Sequence, residues 1–384
     1  MKVVVFSRYP VDSSRPKGGV ESVTVVLVKA LAKLGDLDIH LVTLERERTK
    51  IAIEQDGDIT VHRLPGSHWP QIMDIVAGPG KKRLVRYIKD LKPDILHTHE
   101  TYGLGLGHIS IPHVFTFHGF DHANLVADSA KFAWIRSPLW KFVEQRGFAA
   151  QTNIISISPY VRKMIEPQTN ASIYDIDNPV DERFFNITRR PEPGRILCVG
   201  WINDRKNTLG SVKAFARIVD SYAEAKLIIA GEPNEAEYFK QVKQFIAQHG
   251  IGNRVELLGH VNHIQLEQEL SRTSVFLLPS RQENSPMAIA EAMAAGIPAI
   301  ASNRCGMPYM IAEGKTGFLI DPESTEQIAQ CLSKMVGSQQ LCQQMGQAGH
   351  REAMQRFHPH IVALRTKAVY ERICNKDSRI MREL

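Results

Sequence analysis

Residues 275–301 constrain the architecture more than any other part of the chain. Two short apolar runs, 275–278 and 297–301, read as buried strands. Between them lies a polar loop and a run rich in Ala288, Ala290, Ala292, Ala294 and Ala295, which are strong helix formers. Ser285 suits an N-cap, Pro286 the first helical position, and Gly296 with Pro298 a stop. Strand, loop, helix, strand in so few residues forces a parallel pairing with a crossover. Two carboxylates flank the helix start eight positions apart: Glu283 in the loop and Glu291 about one and a half turns in. A ligand at the carboxyl end of the first strand would meet both, together with unpaired amides at the helix start. That combination suits a polyhydroxylated molecule carrying negative charge, such as a nucleotide sugar.

The same alternation runs through the whole chain. Residues 3–7, 39–43, 95–98, 114–117 and 154–158 read as strands of one sheet. A second set begins at 196–199 and continues at 226–230, 255–258, 275–278, 299–301 and 318–320. Helical patterns separate them, so two doubly wound α/β domains are expected. The break falls near 184–194, where Arg189-Arg190-Pro191-Glu192-Pro193-Gly194 is polar and Pro-rich. The 384 residues are enough for two cores. No apolar run reaches membrane-spanning length, and the first residues read as a strand, not a signal peptide. Five scattered cysteines without CxxC spacing suggest neither a disulfide framework nor a zinc site, and a reducing cytoplasm fits. The net charge of +6 is mild and shared between the halves, with no nucleic-acid motif, so nucleic acid is not an expected partner.

The pattern Glu283-x7-Glu291 followed by Ala292-Met293-Ala294-Ala295-Gly296-Ile297-Pro298 resembles the signature of the retaining glycosyltransferases of family 4. Further matches occur in order along nearly the whole chain. They include Gly18-Gly19, His97-Thr98-His99, His118-Gly119, Asn178-Pro179-Val180-Asp181, Gly200 with Lys206, Ala230-Gly231-Glu232 and Leu258-Gly259. The resemblance implies the GT-B fold: two Rossmann-like domains facing each other across a cleft. Residues 1–185, with a crossing helix at about 360–384, would form the acceptor-side domain, and 186–359 the nucleotide-sugar domain. It implies sugar transfer from a nucleoside diphosphate, with UDP expected, to an acceptor hydroxyl. The anomeric configuration would be kept, with the leaving phosphate itself helping to take the acceptor proton. No cofactor is expected. Bacterial surface polysaccharide or glycolipid synthesis is the expected setting.

Individual residues follow. Lys17-Gly18-Gly19 precedes a helix expected over 20–34. Its glycines fit an ordinary βα turn as well as a diphosphate contact, which the resemblance favours at Gly18 and Gly19. Gly103-x-Gly105-x-Gly107 misplaces its third glycine for a dinucleotide fingerprint. In the loop 200–206 the family has Arg where Trp201 stands; Lys206 matches, and Arg205 is the candidate replacement. Cations there would stabilise charge growing on the departing phosphate more than in the ground state. The resemblance sets His118 beside the donor sugar, so the expected catalytic residues are His118, Lys206 and Glu283. The expected donor contacts are Gly18, Gly19, Arg205, Lys206, Glu283, Asn284, Ser285, Pro286, Met287 and, on the ribose, Glu291. The base would sit near Glu232 and His260.

Three D-x-D tripeptides, at 36–38, 56–58 and 175–177, read as links and a turn, and no metal is expected. The neighbouring His97, His99, His113, His118 and His122 leave a metal site open from the residues alone. A basic helix carrying Lys81, Lys82, Arg83, Arg86, Lys89 and Lys92 fits either a solvated face or an anionic membrane. So does the mixed aromatic and basic stretch 131–142. Membrane contact would suit a lipid-linked or carbohydrate acceptor at the inner face of the cell membrane. Two rivals stand beside transfer: a nucleotide-sugar 2-epimerase of the same fold, and a noncatalytic nucleotide-sugar or polysaccharide binding protein.

Overall fold

The computed structural model describes residues 1–16, 18–66, 78–120, 122–123 and 133–383. Lys17, and Lys131 and Phe132 at the start of the aromatic and basic stretch, lie outside these. The chain divides into two compact units, Met1–Pro179 with Pro359–Leu384, and Val180–His358.

The first unit holds an eight-stranded sheet. Its strands are β1 (Lys2–Phe6), β2 (Asp38–Glu45), β3 (Ala52–Asp56), β4 (Ile59–Pro65), β5 (Ile95–His99), β6 (His113–Phe117), β7 (Asn153–Ser156) and β8 (Ser172–Asp175). Their order is β3-β4-β2-β1-β5-β6-β7-β8. All neighbours are parallel except the β3–β4 hairpin, which turns at Gly57 with φ 60°. β5 and β6 are buried along their full length, as strands covered on both faces must be. The helix Gly19–Ala32 covers one face with Val23, Leu27, Val28 and Leu31. The last helix, Pro359–Glu383, adds Val362, Ala363, Val369, Tyr370 and Ile373 to the same core.

Sequence reading passed over β3, β4 and β8. β3 and β8 are edge strands with largely solvated side chains and no apolar alternation. β4 carries His62 and Arg63 in its interior. The Arg63 guanidinium is 2% exposed and reaches Glu54 at 2.7 Å, with Glu45 beside it, so a buried ion network stands where an apolar residue would have signalled a strand. β7 ends at Ser156, two residues before the expected limit, because Ser158 turns away to cap the helix Pro159–Ile165.

The second unit is a fully parallel sheet of β9 (Arg195–Val199), β10 (Lys226–Ala230), β11 (Val255–Gly259), β12 (Val275–Leu278), β13 (Ala299–Ser302) and β14 (Gly317–Ile320). The order is β11-β10-β9-β12-β13-β14. The chain winds outward one way from β9 and the other way from β12, so the topological switch point lies between these two strands. The Pro-rich stretch is pinned to this unit. Arg190 and Glu192 donate backbone N–H bonds to Ser271 and Arg272 carbonyls at 2.8 Å, and Arg189 bonds the Leu270 and Thr273 carbonyls.

Candidate active site

Loops from three neighbouring strands meet at the switch point. After β9 the chain runs through Gly200 to Asn207. Gly231, in the loop after β10, lets it turn tightly: a Cβ there would stand 1.8 Å from the Gly200 carbonyl oxygen. Ile202 N–H then bonds the Glu232 carbonyl at 2.9 Å. Asn203 is buried and its Oδ1 accepts from Lys206 N–H at 2.9 Å, fixing the loop's curl. After β12 comes the Glu283 loop. Arg281 N–H bonds the Arg205 carbonyl at 2.8 Å, and Gly306, after β13, donates its N–H to the Glu283 carbonyl at 2.8 Å. The two loops are thereby clamped from both sides.

The clamp brings Lys206 Nζ to 2.6 Å and Arg205 Nη1 to 3.2 Å from Glu283 Oε1. The three side chains are between 11% and 17% exposed, so the charges interact with less screening than on an open surface. One acid and two cations leave a net positive charge at the switch point. Asn203 Nδ2 and Ser280 Oγ beside it are buried polar atoms without a hydrogen-bond partner among the described residues. Such atoms are uncommon and call for an explanation, and a ligand rich in oxygen acceptors supplies one.

The helix after this loop begins at Met287, with Pro286 at the cap position and no side-chain cap. This corrects the expectation that Ser285 caps it and Pro286 occupies its first turn. Pro286 is in an extended conformation, and its carbonyl takes the first helical bonds from Ile289 and Ala290. The first-turn amides thus have no side-chain competitor. Glu291 sits just over one turn in and is half-buried, while Ala292 and Met293 after it are fully buried. Desolvation raises its carboxyl to about 7, with the nearby Asp181 carboxylate adding to the rise.

In the first unit, Gly18 (φ 88°) precedes the helix Gly19–Ala32, and a Cβ there would meet nothing within 4 Å among the described residues. Gly103 and Gly107 pack tightly instead. A Cβ would lie 2.2 Å from the Phe115 ring and 2.5 Å from the Ala150 carbonyl, which accounts for these glycines without a ligand. His118 follows β6 with part of its surface exposed, yet burial of the ring pushes it down to about 4, so it is neutral at physiological pH. His122 pairs with the buried Glu144. Each D-x-D carries a committed carboxylate: Asp36 to Lys367, Asp56 to the Tyr9 hydroxyl at 2.6 Å, and Asp175 to Arg162 at 2.7 Å. Among the described residues no cluster of three histidines, cysteines or acids could hold a metal ion. Sequence reading missed Asn203, Ser280 and Gly306. None has a distinctive spacing, and each earns its place only through the neighbouring loop.

Two doubly wound α/β sheets, mostly parallel in the first unit and fully parallel in the second, are the architecture of the GT-B fold. The family model described as Glycosyltransferase Family 4 matches residues 17–184, and that described as Glycosyl transferases group 1 matches 180–352. The chain belongs to these glycosyltransferases. It is 24% identical to the sulfoquinovosyl transferase SQD2 of Arabidopsis thaliana over 70% of its own length, and spans 55% of that relative. Among solved structures it resembles sucrose-phosphate synthase from Thermosynechococcus elongatus. The TM-score is 0.75 at 18% identity, covering 97% of this chain and 98% of that one. It also resembles Anabaena Alr3699/HepE in complex with UDP-glucose, with TM-score 0.68 and 16% identity, covering 99% and 100%.

Proposed function

We propose that the chain transfers a sugar from a nucleoside diphosphate, UDP in the first instance, to an acceptor hydroxyl with retention of configuration. The observation carrying this reading is the cluster of Glu283, Lys206 and Arg205 beside the open helix start at the switch point. Lys206 and Arg205 would bind the diphosphate, Arg205 taking the place left by Trp201. Glu283, with the Ser285 to Met287 backbone, would then exchange its cation partners for sugar hydroxyls. His118, Gly18 and Gly19 would complete the donor contacts, and the base would lie near Glu232 and His260. The complex of Anabaena HepE with UDP-glucose supports UDP as the nucleotide. Incubating the protein with UDP-sugars, with and without sugar acceptors, tests the reading. Transfer only with acceptor supports it; epimerised donor without acceptor favours the 2-epimerase.

Glu291 is expected to hold the ribose hydroxyls. Glu291→Ala should weaken UDP binding by about 1–3 kcal/mol, the cost of losing hydrogen bonds to a charged acceptor. Unchanged affinity by calorimetry would remove Glu291 from the site. Its raised pKa also gives a sign for unliganded stability. The folded carboxyl holds its proton more tightly than the unfolded one, so the stability it lends is complete below about 4.5. That stability is lost as pH rises through about 7. The span is on the order of 3 kcal/mol at most. Glu291→Gln should flatten this part of the melting-temperature profile against pH.

Transfer is expected to persist in EDTA, because the cations needed at the diphosphate are side chains. Activity that vanishes in EDTA and returns with magnesium or manganese would assign the charge-stabilising role to a metal instead.

A membrane-proximal, lipid-linked or polysaccharide acceptor is the proposed setting. On the helix Ala133–Ala149, Trp134 is 78% exposed, with Ile135, Leu139 and Phe142 also open to solvent. On the helix Pro79–Asp90, Leu84 and Ile88 are buried while Lys82, Arg83, Arg86 and Lys89 are exposed. Exposed aromatics and cations together suit an anionic lipid surface. The protein should sediment with anionic liposomes at low salt and release at high salt, as exposed charges are screened over about 10 Å at 0.1 M. Failure to sediment at low salt would favour a soluble acceptor.

A further inference from the structure

β5, β6 and the residues just after β6 carry a group of imidazoles that donor binding alone does not explain. His97 Nδ1 lies 2.6 Å from the Tyr370 hydroxyl, which comes from the last helix, and His97 Nε2 lies 2.6 Å from Thr116 Oγ1. His113 Nε2 lies 2.8 Å from Thr98 Oγ1. His99 stands next to His97, ring centroids 4.2 Å apart, and its Nδ1 lies 2.9 Å from His118 Nε2. His97, His99 and His113 are buried, whereas His118 keeps part of its surface exposed. The other ring nitrogen of His99, Nε2, is buried with no hydrogen-bond partner among the described residues.

Counting protons decides the arrangement. Desolvation holds His99 well below the usual imidazole range, with His97 and His118 adding to the effect. His118 is lowered for the same reason, so each ring carries one proton at neutral pH. The contact between them uses one of those two protons. If His118 Nε2 donated, His99 Nδ1 would be the acceptor and its own proton would sit on Nε2, a buried N–H with no partner among the described residues. If His99 Nδ1 donates, its Nε2 is a bare lone pair, and the remaining proton of the pair sits on His118 Nδ1. Buried orphan N–H groups are rarer than under-satisfied acceptors. The second arrangement therefore wins.

We propose that His99 is a positioning residue that fixes His118 as the neutral Nδ1–H tautomer, so that His118 presents a hydrogen-bond donor and not a base. Which hydrogen bond a ring nitrogen makes determines where the other proton resides. With Nε2 occupied by His99 and Nδ1 already protonated, His118 has no lone pair to take a proton from an acceptor hydroxyl. Through Nδ1 it can only donate. The tautomer does not depend on the donor-binding role proposed above.

Long-range proton–nitrogen correlation spectra of the full-length, 15N-labelled protein test it directly. The expected result is a His118 ring protonated at Nδ1, bare at Nε2, and not titrating between pH 5.5 and 8. His99→Phe should release His118 to the Nε2–H form or to titration in that range. His99→Asn, whose amide nitrogen falls near the position of Nδ1, should restore the wild-type pattern, and His99→Gln should not. An Nε2–H signal from His118 in the wild type overturns the proposal, as does an unchanged spectrum in His99→Phe. If His99→Phe does not fold, the wild-type spectrum still decides. UDP binding measured alongside by calorimetry keeps the two readings apart. A protein that binds no UDP but shows the Nδ1–H ring fails the donor reading alone.

Discussion

Lys206→Ala should lower turnover roughly 100-fold or more while leaving the protein folded, the range seen when one preorganised electrostatic donor is lost. Lys206 is held by a backbone bond to buried Asn203 and by a 2.6 Å contact with Glu283, so its ammonium already stands at the switch point and has only to exchange Glu283 for a diphosphate. The loss should appear mainly in kcat, because charge on the departing phosphate is greater at the transition state than in the bound donor. Removing the cation also leaves Glu283 to Arg205 alone, 3.2 Å away. Arg205→Ala is the companion. A loss comparable to that of Lys206 would establish that Arg205 does the work missing at Trp201. Steady-state turnover of folded Lys206→Ala at the wild-type level would show that the diphosphate lies elsewhere.

Gly306→Ala should be nearly as damaging, though Gly306 bears no chemistry. A Cβ at this position would stand 1.8 Å from the Asn284 carbonyl oxygen and 2.5 Å from its carbon. Both are backbone atoms, so the loop must move. Overpacking of this kind costs about 1–3 kcal/mol of stability. The functional cost should be greater, because the same shift carries Glu283 and Asn284 off position, and a misplacement near 1 Å can cost on the order of 100-fold in rate. Thermal melts and turnover measured together check both. Wild-type turnover would mean that the loop after β13 is not what positions Glu283.

Much of this was legible in the chain because parallel strands buried on both faces announce themselves. The apolar runs at β1, β5, β6 and β9 to β14 are plain in the sequence, and the Glu283-x7-Glu291 spacing marks the loop and helix between β12 and β13. Edge strands β3 and β8 were not legible, since no side chain of either is fully buried and neither shows an apolar alternation. Nor was the cap at Pro286. Ser285 is a good N-cap by type, but the extended Pro286 already supplies the carbonyl that opens the helix. The contact of Lys206 and Arg205 with Glu283 could be suspected from the order of the strands, but its geometry depends on backbone bonds between three loops. The same holds for the histidines. Their clustering was visible, while the pairing of His99 with His118 depends on the register of β5 against β6.

The switch point also sets when the site can exist at all. Arg205 and Glu283 are separated by 78 residues, and an entire run of strands and helices, β10 to β12, must be laid down between them. β9, β10 and β11 can pair from nearby sequence, but the acid reaches its cations only after β12 inserts on the other side of β9. Contacts of such long sequence separation close late and slowly. During refolding, then, the far-UV circular dichroism of strand and helix formation should develop ahead of nucleotide-binding capacity. A partly wound second unit would carry Lys206 without its counter-charge, so a nascent chain released before residue 283 has the cations of the site but cannot yet discriminate among the anions it meets.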